Sequence, residues 1–406
     1  MNRRPRARAV VLVGVVMAAT VLTSCHSAPR LGVSTTVYPV TGHCNTSAVV
    51  EVGASLALSG PDSVAGRAQL LGLELGVNGV NASGGVLTAH RCLELLYKDN
   101  RSDPAVDNQA LLDLVNQEKV SFLVGPFLAP ENPANVAHIG SLGTAAASYS
   151  ALAVTFKPSE FPDTFPIATS LADQASVLAA TAERQHLDRV VIVRSSSEVA
   201  VEGSAAFRSD ASAAGLTLSA TTFVVDSRAT APSTWADIAA THASAVVVFD
   251  TGSTLAPLLS ARRGAGSTLP VLASSTQGAP VLPPAAVKGV QVIVPKSLAV
   301  SRHIPAGLAS FRARVLRTLH QARLGGPITP YAEGYDALQL FAGAANGVDA
   351  YDSGSVRTFI ENANFNGLLG TYDYTSTNHE GLAASQFAVV PLGSLSNGLY
   401  VVAHTG

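Results

Sequence analysis

Two aspartates and three cysteines are the residues of this chain whose types and settings could do chemistry. Asp250 sits in VVVFDTGST (246–254) and Asp352 in AYDSGS (350–355). Two carboxylates sharing one proton would supply the base and the acid of an aspartic-type hydrolase. That chemistry needs both groups on strands, whereas YDSGSVRTFIENA reads as the start of a helix with Asp352 as its N-cap. A hydrolase using Asp250 stands only as an alternative. No GxSxG, HExxH or P-loop pattern occurs and the ten histidines are scattered, so neither an enzyme nor a bound cofactor or metal is expected. Cys25 invites another chemistry, because a thiolate is a strong nucleophile for alkylation.

Cys25 ends an apolar segment. MNRRPRAR, with four arginines and no acid, precedes fourteen uncharged residues, 9–22. A membrane-spanning helix needs roughly 20 apolar residues, so this pattern suits residues 1–24 as a secretory signal. Leu22-Thr23-Ser24-Cys25 resembles the lipobox of bacterial lipoproteins, whose cysteine receives a diacylglycerol and becomes the mature N-terminus. The resemblance implies lipidation at Cys25 and anchoring on the extracytoplasmic face of the bacterial cell membrane, since two acyl chains suffice to hold a protein there. Cys44 and Cys92 are then an even pair in an oxidising compartment. Each lies at the start of a strand-like run. A disulfide between them is expected, with two buried thiols as the other reading.

The whole chain carries 26 basic and 28 acidic residues. Removing the four leader arginines leaves 22 against 28, a net −6. No basic stripe follows, so nucleic acid is not an expected partner. A mature length near 380 residues exceeds one compact core and suggests two domains.

After a Ser/Thr/Pro-containing stretch expected as a tether (25–47), apolar strands alternate with helices. VVEVGASLAL (49–58) leads to a helix with Leu70, Leu73, Val77 and Val80 at helical spacing, stopped by NASGG. LELLY is a strand, and DPAVDNQALLDLVNQE a helix with Asp103 as cap and Pro104 at its first position. VSFLVG follows. The alternation restarts after FPDTFPI with RVVIVRS, SAVVVFD, PVLASS and VQVIVP as strands. Continuous apolar strands between helices mean parallel sheets covered on both faces. The fold class expected is α/β, with two doubly wound parallel-sheet lobes.

In such sheets ligands sit beyond the carboxyl ends of the strands, where helix N-termini and hydroxyls accept an anionic group. The candidates are Ser59 and Gly60, Phe127 to Pro130, Ser148 and Tyr149, Ser195 to Ser197, Asp250 and Thr251, and Ser275 to Gln277. Tyr331 and Tyr335 are expected to pack between lobes.

VEVGASLALSGP, GLELGVNGVNASGGV, LELLYKDNRSDP, VSFLVGPF, TPYAEGYDALQL and FNGLLGTYDYTSTNHEG fall in an order that resembles type I periplasmic-binding proteins, closest to the branched-chain amino-acid solute-binding subunits of ABC transporters. The resemblance covers nearly all of residues 48–404. It implies a clamshell joined by three crossovers, near 164–169, 295–299 and 371–380. Lobe 1 would be 48–166 plus 298–372 and lobe 2 167–297 plus 373–406. It also implies a monomer that hands a small ligand to an ABC permease, or a sensing or scaffolding lipoprotein. Amino-acid binders of this kind hold the carboxylate with hydroxyls after the third and fourth strands and the ammonium with an acid on the second lobe. Ser148 matches one hydroxyl. The other position falls on Leu128-Ala129-Pro130, the acid near Ser275-Thr276, and the first-loop aromatic on Val64. An ammonium buried without its carboxylate is costly, which disfavours a zwitterionic amino acid; Asp250 could take over the amine, its other reading being a strand-end or helix-cap aspartate.

Overall fold

A computed structural model describes residues 33–125, 143–149, 157–249, 254–274, 287–300, 303–393 and 395–401. The first sheet has six strands: β1 (Thr36–Tyr38), β2 (Asn45–Leu56), β3 (Arg91–Asp99), β4 (Phe122–Val124), β5 (Ala146–Ser148) and β6 (Thr164–Pro166). They lie in the order β1-β3-β2-β4-β5-β6, parallel except for β1, which runs antiparallel to β3. This corrects the tether expected over 25–47: Thr36–Tyr38 pairs with Leu95 to Tyr97, and β2 already begins at Asn45.

The second sheet repeats the plan. Its strands are β7 (Arg189–Arg194), β8 (Thr217–Val224), β9 (Ala245–Phe249), β10 (Val271–Ala273) and β11 (Val290–Pro295). The order is β15-β11-β10-β9-β7-β8, where β15 (Phe387–Pro391) pairs antiparallel with β11. Leaving out the antiparallel edges, both sheets follow the doubly wound 2-1-3-4-5 order, which places a topological switch point between the first and third strands. In lobe 1 that point lies between β2 and β4, in lobe 2 between β7 and β9.

Side-chain alternation explains why these strands are central. Val190, Ile192, Val247 and Phe249 enter one core, while Val191, Val193, Val246 and Val248 enter the core on the opposite face of the sheet. Successive residues of a strand point to opposite faces, and here both faces are apolar, as a covered parallel sheet requires.

The helices are α1 (Ser63–Ala82), α2 (Pro104–Asn116), α3 (Leu171–Arg184), α4 (Glu198–Ala213), α5 (Ala231–Ala240), α6 (Leu255–Gly264), α7 (Ala306–Thr318), α8 (Thr329–Val348) and α9 (Ser353–Ile360). The local signals for them hold. Asp103 accepts from the amides of Ala105 and Val106 at the head of α2, and Gly84 and Gly85 turn left-handed where α1 stops. Asp352 caps α9 by accepting from Ser355 at 3.0 Å; its carboxylate serves a helix start.

Helices α1 and α8 pack side by side and run the same way. A Cβ on Gly72 would lie 2.0 Å from the Tyr331 carbonyl oxygen, and one on Gly334 2.1 Å from that of Gln69. Only glycine permits this approach. The Gln69 amide donates to Glu333 across it at 2.7 Å. Tyr335, expected between lobes, instead packs against Phe311 of α7 at 4.9 Å.

The cysteine pair is a disulfide, Cys44–Cys92, with Cα atoms 5.1 Å apart. It joins the amino ends of neighbouring parallel strands β2 and β3, so it lies at the edge of the sheet opposite the switch point.

The chain passes between the sheets three times: from β6 to α3, from β11 toward α7, and from β14 (Thr371–Tyr372) to β15. The Tyr374 hydroxyl donates to Pro166 O at 2.8 Å, Thr169 Oγ1 to Leu382 O at 3.2 Å, and Ser297 Oγ to Leu369 O at 2.7 Å. All three crossovers are thereby fastened together.

Candidate functional site

The described rim of lobe 1 is built around Asp99, the last residue of β3. Its carboxylate accepts from the amides of Leu58 (2.9 Å) and Ser59 (3.1 Å), the Ser59 hydroxyl (2.7 Å) and the Arg101 amide (2.9 Å). Burial works against the charge, but these bonds outweigh it and hold Asp99 below the ordinary carboxylate range. Ser59 therefore stands at the strand end, as expected, with its hydroxyl committed to positioning the loop. Gly60 turns through φ +84°, where a Cβ would meet Arg101 O at 2.5 Å. Behind the rim, the Ser55 hydroxyl and the Asn100 amide both donate to Asp107 of α2. Burial pushes that carboxyl up to about 6 against those two bonds.

The first turn of α1 brings Val64 to the same rim. It is 76% exposed, far more than any other large apolar residue described. An apolar side chain held open where a doubly wound sheet takes its ligand is a surface available to an apolar ligand body.

Ser148, the last residue of β5, is buried beside the first crossover, and its carbonyl accepts from Ile167 at 2.7 Å. Tyr149, the next residue, is buried as well. It is 1% exposed and belongs to the apolar core. Burial first, then the carboxylates of Glu333 and Asp336 on α8, drive its phenol well above its usual value. That side chain packs into the lobe 1 core beside Ser148.

On lobe 2 the switch point is lined by Ser195 to Ser197. The Ser195 amide donates to Phe249 O at 3.2 Å, joining β7 to the end of β9. The Ser195 and Ser197 hydroxyls lie 2.9 Å apart, and Ser197 caps α4 by accepting from Ala200. Ser196 is exposed between them, with its amide bound to Asp226 at 2.6 Å. Phe127, Asp250, Thr251, Ser275 and Gln277, together with Cys25, lie outside the described residues. The structure thus brings Ser59 to one switch point and Ser196 to the other.

The hinge residues were missed by sequence reasoning. The Ser170 hydroxyl, which caps α3, donates to Glu380 on the third crossover. His379 is fully buried, with Nδ1 2.7 Å from Thr164 O and Nε2 3.2 Å from Glu361. A cavity of about 560 Å³ opens beside them, lined by Lys157, Ser170, Thr377, Asn378 and Glu380. Burial, then the charge of Glu380, raises Asp173 to about 6. The crossover expected near 371–380 covers this region, but nothing in the run TSTNHEG singled out these side chains.

Two α/β lobes of one strand order, tied by three crossovers, define a two-lobed type I periplasmic-binding-protein fold. The sequence matches the family described as periplasmic binding protein over residues 49–395, and the chain belongs to that family. Solved structures share the fold at low identity. The solute binding protein of an ABC transporter from R. palustris, in complex with benzoate, superposes with a TM-score of 0.73 at 18% identity, covering 87% of this chain and 95% of that one. The periplasmic binding protein type 1 of Bordetella pertussis Tohama I gives 0.71 at 17%, covering 85% and 96%. A branched-chain amino acid transporter substrate binding protein from Streptococcus pneumoniae, in complex with isoleucine, gives 0.65 at 20%, covering 84% and 99%.

Proposed function

We propose that this chain is an extracytoplasmic solute-binding lipoprotein, anchored through Cys25, that captures a small carboxylate between its lobes for an ABC importer. The observation that carries this reading is the pairing of two matched switch points with a hinge of three mutually bonded crossovers. That arrangement supports lobes that move as units about a narrow axis. The lobes proposed are 48–166 with 298–372, and 167–297 with 373–406. The ligand set proposed is Ser59, Phe127, Ser148, Tyr149, Ser196, Asp250, Thr251, Ser275 and Gln277.

The choice of a carboxylate rests on chemistry common to the ligands named for similar folds: benzoate and isoleucine both carry one. Hydroxyls and helix N-termini at the strand ends favour that group. Val64 at the rim favours an apolar body. The acid position of amino-acid binders falls on Ser275-Thr276 here, which leaves Asp250 as the one acid of the proposed set that could take an ammonium, so an organic acid fits better than an amino acid. A ligand that binds only the folded protein raises its melting temperature by mass action. A thermal-shift screen over aromatic acids, aliphatic acids, amino acids and short peptides is expected to pick out an organic acid. A response confined to zwitterionic amino acids would replace that ligand class, and no response across the panel would remove the transport reading.

A further inference from the structure

A second cavity, of about 510 Å³, opens on lobe 1 where the carboxyl-terminal halves of α1 and α8 meet α7. Its size falls within the range of small-molecule sites, roughly 300–1,000 Å³. Gly79 and Val80 of α1 and Ser83, the residue after its end, line it. The ligand rim lies at the other end of that helix, about 25 Å away at 1.5 Å per residue. The two sites are distinct.

Among the described residues lining this cavity, the charge is carried by Arg314 of α7, and no Asp or Glu is present. No carboxylate among the described residues lies within ion-pair distance of it. Its guanidinium is fixed over two rings, 5.3 Å from Tyr335 and 5.9 Å from Phe311, and one terminal nitrogen donates weakly to the Tyr335 hydroxyl at 3.4 Å. Its Nε is buried without an acceptor. A buried donor left unmade costs free energy, and a guanidinium edge matches a carboxylate with two parallel bonds. The surrounding segment strengthens the field: His303 to Ala332 contains four arginines and no acid, in a chain of net negative charge. Val80, Ala342 and Phe365 supply its apolar walls, and Ser83, Gln339 and Asn346 its neutral polar ones. Space exists because Gly343 carries no side chain; a Cβ there would meet nothing within 4 Å.

We infer that this outer cavity is a second binding site, taking a small organic carboxylate whose charged group pairs with Arg314 and whose apolar body lies against Phe365. The site is independent of the interlobe reading.

Titration of the ¹⁵N-labelled full chain with benzoate, followed at the arginine Nε–H resonances, tests it. Benzoate is expected to shift the Arg314 resonance, and methyl benzoate, which has no charge, to leave it in place. Read at the backbone amides lining the cavity, Arg314→Gln is expected to weaken this binding event at least tenfold. Gly343→Leu, which fills the cavity while keeping the arginine, should do the same and report on shape alone. Any thermal response to a ligand of the interlobe site should survive both substitutions, so failure of one site is not failure of the other. An unmoved Arg314 resonance at saturating benzoate overturns the inference, as does full binding retained in Gly343→Leu.

Discussion

The two lobes share a strand order and spend their polar residues in opposite ways. Lobe 1 draws carboxylates inward: Asp107, Asp113, Glu333 and Asp336 are all buried. In lobe 2 the buried polar side chains described, from Thr169 and Ser170 on the first crossover through Ser195, Thr254 and Ser274 to His379, include no carboxylate. The acids of lobe 1 do structural work. Asp336 accepts from the amides of Leu368 and Leu369 and fixes the turn before β14. Burial comes first in raising Glu333 and Asp336 to about 7. Matched topology thus coexists with unmatched electrostatics: the largest sensitivity to pH should come from Glu333 and Asp336 in lobe 1, with a smaller one from Asp173 beside the hinge.

The sharpest contrast comes from deleting the largest buried side chain of lobe 2. Trp235→Ala on α5 should cost about 3–5 kcal/mol, and calorimetry should find the loss similar at pH 5 and pH 8. Next is the staple confined to lobe 1. Replacing Cys44 and Cys92 by serine should cost about 2–4 kcal/mol, and a reductant should lower the melting temperature of the unaltered chain but not of the double variant.

A smaller effect tests the pH asymmetry directly. Glu333 has a folded-state pKa near 7 and an unfolded one near 4.5. Between those values the folded state binds more protons, so this residue's contribution to stability falls as pH rises and levels off above about 7. Glu333→Gln removes that term while keeping an acceptor for Gln69. Its stability relative to the unaltered chain should therefore rise by about 2 kcal/mol from pH 5 to pH 8 in denaturant titrations. A flat difference would place the proton elsewhere. The smallest effect should be at the α2 cap, where Asp103→Ala is expected to cost about 1 kcal/mol.

How much of this was readable in the residues follows from how local each signal is. The α2 cap, the α1 stop and the Cys44–Cys92 pairing are set by neighbouring residues or by adjacent parallel strands, and they were anticipated. Strand β1 was not, because three residues, TVY, carry no period and gain meaning only from a partner at Leu95 to Tyr97. The candidate site divides along the same line. Position at a strand end was legible for Ser59 and Ser196. The commitment of the Ser59 hydroxyl to Asp99, and the burial of Tyr149 beside Glu333 and Asp336, depend on groups far along the chain. The hinge bonds of Ser170 and His379 are equally non-local.

The glycine-mediated contact of α1 with α8 has a mechanical consequence. Where backbones touch with no side chains to yield between them, two helices turn as a single stiff rod. This rod starts beside Val64 and ends in the chamber that holds Arg314. The chamber should therefore keep its shape whether the lobes stand apart or close, because its walls travel with the rod.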